Sequence, residues 1–249
     1  MLLSMQTSSG GLSYWPGGRQ PTLWGSAYGG LALALAQKQK FPVPEAETKK
    51  LFGYISEQLR GTAKDVTGYG LSDRCLAVYT LAIANKPEPA YHELLFQKRA
   101  KLSAEDRALV ALAILESKGP KSMVDELLKP TQQSNDSYLD QFFGSVAREN
   151  ALYLMAWLNH QPASPRIDEL ATELFSRRSN GHWSTTQANA WSVLALSSYL
   201  RKIETGDHNA RGEVRWNKNA TPFSVSDSKP VATATFPIEA NGSTDPVRI

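Results

Sequence analysis

The sequence predicts a mainly α-helical protein, an α/α toroid of helical hairpins followed by a short C-terminal β-strand segment. Three observations predict this class. First, a glycine turn with aromatic residues, followed by a helix of small residues, recurs along the chain. Second, uncharged helical segments alternate with amphipathic ones. Third, after Ile203 the apolar residues recur every two positions instead of at helical spacing. The 249 residues suit one large core with an appendage. We therefore expect a helical domain at 1–203, and a linker with the start of a β-domain at 204–249.

The recurring motif predicts five related helices. Its first copy runs from Gly11 to Leu33 and its last copy from Gly181 to Leu196. Weaker copies end in predicted helices at 76–82, 103–115 and 146–158. Because one supersecondary unit rarely buries its apolar face alone, such copies are expected to stack on one another.

Charge separates these helices from the segments between them. Residues 22–36 and 185–200 carry no charge, and a helix that is apolar on every side must be buried on every side. The intervening segments are amphipathic and typical of surface helices, at 45–60, 89–101, 120–129 and 166–178. Alternating buried and surface helices build an open solenoid or a closed ring. The closed ring is favoured, because an open solenoid would leave one face of each uncharged helix exposed to solvent.

The chain changes character after Ile203. Segments 213–216, 221–225 and 231–238 alternate in period two and are rich in β-branched residues, which predicts three short strands. Three short strands bury little surface alone. They resemble the opening of a β-domain or strands docked on the helices.

Composition excludes several classes of function. Lys plus Arg number 27 and Asp plus Glu 24, and no basic run could line a phosphate backbone, so we expect no nucleic-acid partner. The longest apolar stretch, Ala27 to Ala36, is about half of what a bilayer demands. The single cysteine, Cys75, can form no internal disulfide. Residues 1–20 lack signal-peptide features, so we expect any export signal upstream in a longer precursor.

Paired carboxylates could indicate a glycosidase, since helical toroids also carry that chemistry. The candidate pairs are Asp136 with Asp140 and Asp65 with Asp73. Neither pair sits in a catalytic signature, and solvated loop acids explain both. Trp15, Trp24 and Trp183 could stack on sugars, but their place in the repeat favours wedges between helical units.

A zinc site is the sharper enzymatic alternative. Asp73 and Cys75 resemble the Asp-x-Cys zinc ligands of the protein prenyltransferase β-subunit, which is also an α/α ring. Catalytic zinc needs three protein ligands, and the third would have to be His160 or His182, neither of which shows that family's context. We therefore interpret Cys75 as a buried apolar residue, and we expect no catalytic residues, no metal and no cofactor.

Two motifs carry a family resemblance. The run from Leu2 to Gly18 with Leu23 to Tyr28, and the later run from Gly181 to Trp191, closely resemble the thioester-domain region of the bacterial alpha-2-macroglobulins. The resemblance covers about 1–203. It implies an α/α toroid within a large periplasmic, inner-membrane-tethered protease trap. It implies as partners the other domains of the parent protein, target proteases and a penicillin-binding protein.

The covalent motif of that family is absent from this chain. Trapping members carry Cys-x-Glu-Gln, whose thiol and glutamine condense to a thioester. Here Glu-Gln occurs only at Glu57-Gln58, and Cys75 is not followed by it. Two explanations stay open: the motif stands upstream on a missing first helix, or the chain belongs to the group that has lost the thioester.

The first segment is expected to be an interaction surface. From Met1 to Gln37 the only charged side chain is Arg19, so an apolar patch would be exposed unless something covers it. The surface is predicted at Tyr14, Trp15, Trp24 and Tyr28. We thus predict part of a protease inhibitor without enzymatic activity. The alternatives are an α/α-toroid enzyme, zinc prenyltransferase-like or carbohydrate-active, and a helical protein-interaction scaffold.

Overall fold

The computed structural model describes residues 2–61, 70–130, 145–203, 209–216, 219–226, 229 and 231–236. The chain divides into two compact units, Met1–Lys202 and Ile203–Ile249. Helices dominate the described residues, which confirms the mainly α class. The helices are α1 (Leu23–Lys38), α2 (Glu45–Gly61), α3 (Gly70–Ile83), α4 (Pro89–Gln97), α5 (Ala104–Glu116), α6 (Lys121–Leu127), α7 (Val146–His160), α8 (Arg166–Ser176) and α9 (Thr186–Ile203). Two 3-10 turns, Leu2–Met5 and Arg99–Lys101, and two strands, β1 (Ala210–Trp216) and β2 (Asn219–Val225), complete the elements.

Hydroxyl side chains begin three of the repeat helices. Thr22, Ser103 and Ser145 are the N-caps of α1, α5 and α7, and each side-chain oxygen accepts a hydrogen bond from the backbone N–H three residues later. Such a cap satisfies one of the donors that every helix start leaves unpaired, and is worth about 1 kcal/mol. These caps explain why the repeat helices begin where the sequence predicts.

The central helices of the first unit are enclosed by their neighbours. In α3 every residue from Arg74 to Ile83 is buried, and in α5 every residue from Ala104 to Ile114. Helix α3 packs between α1 and α5, and α5 packs against α7. The amphipathic helices α2, α6 and α8 cover α1, α5 and α7 in turn. The predicted alternation of buried and surface helices is confirmed from α2 to α8.

A glycine lets α1 lie close against α3. A Cβ atom on Gly30 would meet Ile55 Cδ1 and Thr80 Cγ2 at 3.1 Å each, tighter than ordinary contact. The Thr80 hydroxyl of α3 donates a hydrogen bond of 2.9 Å to the carbonyl oxygen of Ala27. The small residues of the repeat therefore set the helix spacing.

The prediction that both uncharged helices are buried on all sides is wrong. In α1 Ala32 is exposed and Leu33 and Leu35 are half-buried, while in α9 Val193 and Leu200 are 56% and 40% exposed. The two helices stand at the ends of the helical series, so neither has the double flanking that encloses α3 and α5. Absence of charge predicted an apolar surface, and only packing decides how much of it is covered.

The ends of the series meet through aromatic rings. The ring centroids of Tyr28 on α1 and Trp191 on α9 are 6.5 Å apart. A closed toroid requires such a contact. Ring closure stays a prediction, because the segment 131–144 between α6 and α7 lies outside the described residues.

The second unit contains an antiparallel hairpin. Strands β1 and β2 pair from Ala210 with Val225 to Trp216 with Asn219. The third predicted strand is wrong over its described part, since 231–236 forms no strand. A period-two pattern needs a hydrogen-bonding partner strand, and these residues have none of the ladder pairing that β1 and β2 share. Within the described parts of the chain, no helix is long and apolar enough to cross a membrane.

Candidate functional site

Four aromatic side chains form a continuous row across α1, α9 and α3. Trp24 and Tyr28 stack with centroids 5.4 Å apart and planes 11° apart. Tyr28 meets Trp191 edge to face, and Trp191 lies 6.3 Å from Tyr79 of α3. We call Trp24, Tyr28, Trp191 and Tyr79 the aromatic row. Because Trp191 contacts both α1 and α3, it joins the end of the helical series to its beginning.

A buried polar layer occupies the first turns of α3, α5 and α7. The carboxylate of Glu105 and the guanidinium of Arg148 are 3.2 Å apart, and both side chains are buried. Arg107 donates to the carbonyl oxygens of Glu126 and Leu127 at 2.5 and 3.0 Å. Asp106 accepts a hydrogen bond of 2.8 Å from the Ser72 hydroxyl. The polar layer comprises Ser72, Arg74, Glu105, Asp106, Arg107 and Arg148.

Tyr28 links the aromatic row to the polar layer. Burial raises the pKa of its phenol, and the positive charge of Arg148 and a hydrogen bond with Gln187 partly oppose this rise. The hydroxyl therefore stays protonated at neutral pH. The row is apolar at Trp24 and polar where Tyr28 approaches Arg148.

The other two predicted surface residues lie on an exposed loop. Tyr14 is 53% and Trp15 78% exposed. The Ser13 hydroxyl beneath them lies 3.0 Å from the Met5 carbonyl oxygen and 2.7 Å from that of Trp15, and the Gly18 N–H donates to Trp15 O at 3.1 Å. The aromatic loop, Tyr14 and Trp15, is thus presented on a hydrogen-bonded base.

The later copy of the motif places its tryptophan differently. Trp183 is only 6% exposed and its indole N–H donates to the Leu174 carbonyl oxygen at 2.8 Å. Asn189 binds the Trp183 backbone on both sides, accepting from its N–H at 3.1 Å and donating to its carbonyl at 2.8 Å. Equivalent sequence positions therefore have an inward tryptophan near α9 and an outward one before α1.

The structure brings only part of the predicted surface together. Trp24 and Tyr28 are in contact and half-buried, and the Tyr14 ring lies 3.9 Å from where a Cβ on Gly25 of α1 would stand. Trp15 projects outward beside them. Sequence reasoning missed the polar layer, whose only signal was charge in the first turns of otherwise apolar helices.

The zinc candidates have other neighbours. Cys75 is a free thiol in the fully buried part of α3. His160 Nε2 lies 2.6 Å from Asp125 Oδ1 of α6, and His182 sits in the exposed turn before Trp183. Within the described segments, no three His, Cys, Asp or Glu side chains converge to hold a metal ion. Of the carboxylate pairs, Asp65, Asp136 and Asp140 lie outside the described residues.

Methylamine is expected to leave the intact mass of this chain unchanged. Burial raises the pKa of the Cys75 thiol well above its usual value, with Asp106 and Asp73 adding to the rise, so it is a protonated, inaccessible group. The nearest Glu-Gln in the sequence, Glu57-Gln58, belongs to α2. Mass spectrometry with a thiol titration before and after unfolding tests this. Incorporation of one amine, or a thiol released in the folded chain, would contradict it.

Two titratable groups, the half-buried Asp73 and the buried His92, should change the free energy of unfolding in opposite directions as pH rises. Burial raises the pKa of Asp73 to about 6, with Asp106 adding and Arg74 opposing, and burial lowers that of His92 to about 4 against Glu88. Between about pH 4 and 6 folded Asp73 holds a proton that the unfolded chain releases, so its contribution falls as pH rises. His92 does the reverse, since the unfolded chain binds the proton. Each effect is about 3 kcal/mol at most.

In the native chain the pH dependences contributed by Asp73 and His92 oppose each other. Single substitutions should therefore reveal each of them separately. In urea unfolding at pH 4.5 and 6.5, Asp73→Asn should gain stability as pH rises and His92→Gln should lose it. The exposed Glu57→Gln on α2 is the matched control for a changed carboxyl. Parallel pH profiles for all three variants would contradict the assignment.

Comparison with known proteins shows what this fold is similar to. No family model and no curated protein match the sequence. Solved structures of bacterial alpha-2-macroglobulins do: Salmonella alpha-2-macroglobulin reacted with methylamine matches at 20% identity and TM-score 0.69 over 90% of this chain. An Escherichia coli fragment from domain MG7 to the C-terminus matches at 16% and 0.68 over 92%, and the E. coli protein activated by porcine elastase at 20% and 0.65 over 92%.

The match covers only part of each of those larger proteins. The chain spans 15% of the Salmonella structure, 38% of the E. coli fragment and 22% of the elastase-activated protein. At these identities the comparison shows a shared fold. The resemblance predicted from the two motifs is confirmed at that level.

Proposed function

We propose that this chain is the helical, thioester-domain-like part of a bacterial alpha-2-macroglobulin-like protease inhibitor. The observation that carries the proposal is the match of 90% of the chain to 15% of the Salmonella protein at TM-score 0.69. Independent support comes from the two sequence motifs around Trp15 and Trp183. In this proposal the helical unit corresponds to 1–203, and 204–249 is a linker with the start of a β-domain.

The proposed role is mechanical rather than catalytic. Two of the similar structures are E. coli alpha-2-macroglobulin activated by porcine elastase and by trypsin, so proteases are the proposed targets. Without Cys-x-Glu-Gln in this chain, its own part in inhibition would be contacts between domains and conformational change. The periplasm and an inner-membrane-tethered parent protein belong to the same proposal. A penicillin-binding protein as partner stays a prediction from the resemblance.

The aromatic loop and the exposed side of α1 are the proposed contact surface with other domains of the parent. Trp15 is large, 78% exposed and held on a hydrogen-bonded base. Tryptophan and tyrosine are the side chains that most often dominate interface energies. Trp24 and Tyr28, half-buried beside this loop, would continue the surface into the aromatic row.

A trapping assay tests the proposed function. The full-length protein is incubated with trypsin, and cleavage of casein is compared with cleavage of a small chromogenic peptide. A trap encloses the protease without blocking its active site, so we expect protection of casein and retained hydrolysis of the peptide. Equal inhibition of both substrates, or of neither, would contradict a trap.

The contact surface is tested in the same assay. Trp15→Ala removes the exposed indole, and Phe41→Ala removes a comparably exposed aromatic residue, 64% accessible, that the proposal does not use. We expect Trp15→Ala to weaken protection of casein and Phe41→Ala to leave it unchanged. Truncating a central aromatic contact costs more than about 1 kcal/mol. Equal behaviour of the two variants would remove the aromatic loop from the proposal.

A further inference from the structure

A cavity of about 390 Å³ lies between α7 and α8 in the first unit. Glu149, Tyr153 and Trp157 line it from α7, where a spacing of four residues places them on one helix face. Arg166 and Leu170 line it from α8 with the same spacing. Its volume is within the range of small-molecule sites. Two helices thus present a mixed aromatic and charged wall to one partly open cavity.

Asn150 also lines this cavity from α7. The residue is only 7% accessible and its amide nitrogen is buried. Its side chain hydrogen-bonds with the Glu173 carboxylate of α8. Asn150 therefore helps to hold α7 and α8 together beside the cavity, and the groups that a ligand can reach are the other polar side chains of the lining.

The other polar groups offer both donors and an acceptor. Burial raises the pKa of Tyr153 to about 12, so its hydroxyl stays protonated and can donate. Arg166 is 2.7 Å from Glu169, and its guanidinium keeps further N–H groups beyond that pair. The Glu149 carboxyl is the acceptor of the set, and its half-buried position raises its pKa.

Trp157 provides a positioned flat surface. Its ring centroid lies 6.1 Å from that of His160, and His160 is held by Asp125 through a contact of 2.6 Å. The indole is half-buried, so part of it remains available. A ligand with an apolar face could pack on this ring while its polar groups reach α7 and α8.

We propose that the cavity is a binding site for a small saccharide. Sugar hydroxyls donate and accept, so one ring can accept hydrogen bonds from Tyr153 and Arg166 and donate one to Glu149. Its C–H face can pack on Trp157. An anion would face the Glu149 carboxylate at close range. A wholly apolar ligand would cover the half-buried Glu149 carboxyl without offering it a hydrogen bond. This site is separate from the aromatic loop, so its test does not depend on the protease-inhibitor proposal.

Ligand-observed saturation-transfer NMR with the full chain tests the site. The probes are glucose, N-acetylglucosamine and benzoate, the last as an aromatic anion. A Kd of about 1 mM is expected for ligands of this size, since it requires only a modest binding free energy from each non-hydrogen atom of the sugar. We expect saturable transfer to at least one sugar and none to benzoate. Saturable binding of benzoate alone, or of no probe, overturns the proposal.

Variants locate the binding. Trp157→Ala removes the flat surface and Glu149→Gln changes the acceptor without changing its size, and we expect each to weaken sugar binding at least tenfold. Trp15→Ala is the matched control, an exposed tryptophan of the same unit outside the cavity. Because Glu149→Gln keeps the packing, it remains informative if Trp157→Ala fails to fold. Sugar binding that survives Glu149→Gln unchanged, or that is lost in Trp15→Ala, overturns the assignment.

Discussion

Replacing Trp191 by alanine is expected to lower the free energy of unfolding by about 3–5 kcal/mol, the usual loss for a buried tryptophan. Trp191 is 1% exposed and its ring contacts Tyr28 of α1 and Tyr79 of α3. Removing it opens a cavity where the last helix of the series meets the first. Urea unfolding followed by circular dichroism measures the change.

Two further variants make the Trp191 result specific. Trp15→Ala deletes an indole that is 78% exposed and should cost no more than about 0.5 kcal/mol. Trp191→Phe keeps much of the ring and removes an indole N–H that has no partner among the described residues. We therefore expect it to cost less than half of the alanine substitution. A Trp191→Ala loss below about 1 kcal/mol would show that α9 contributes little to the core.

Replacing Arg148 by methionine is expected to cost about 3–5 kcal/mol, because it removes the guanidinium from a buried ion pair with the Glu105 carboxylate. The two side chains are 9% and 2% accessible and lie 3.2 Å apart. The Ser145 N–H, at 3.5 Å from Glu105 Oε1, is too distant to replace a guanidinium. Thermal and urea unfolding should show the loss.

The double variant separates the lost pair from lost packing. Combining Arg148→Met with Glu105→Gln also removes the carboxylate of the pair, so stability should recover by at least half. Lys38→Met breaks the partly exposed pair with Glu116 and is the surface control, with an expected cost below about 1 kcal/mol. A double variant as unstable as Arg148→Met alone would show that packing of the arginine stem, not charge, is what α7 requires.

Much of the helical pattern could be predicted, because it depends on the spacing of apolar and capping residues that are close together in the sequence. The caps Thr22, Ser103 and Ser145 stand directly before the repeat helices, and the apolar faces of α2 and α8 follow the helical period. That 231–236 forms no strand could not be predicted, because a strand exists only where it pairs with another strand. Segment 231–236 has the composition of a strand without the pairing that joins β1 to β2.

The candidate surface was predictable only as a set of residue types. Tyr14, Trp15, Trp24 and Tyr28 are visible as aromatics in a segment with a single charge. Their separation into an exposed loop and a half-buried row depends on Ser13 and on Trp191, which is more than 160 residues away along the chain. Repeat similarity suggested equal burial for Trp15 and Trp183, and the structure gives them opposite orientations.

By itself the sequence determined that this protein is mainly helical, that enclosed and surface helices alternate, and that two motifs resemble one family, because helix periodicity, caps and motifs are local properties. Only the tertiary structure decided which apolar helices are covered, that Glu105 pairs with Arg148 in the interior, and that Trp191 joins both ends of the helical series. Burial and ion pairing depend on what lies opposite a side chain in space, and residues from distant parts of the chain supply it.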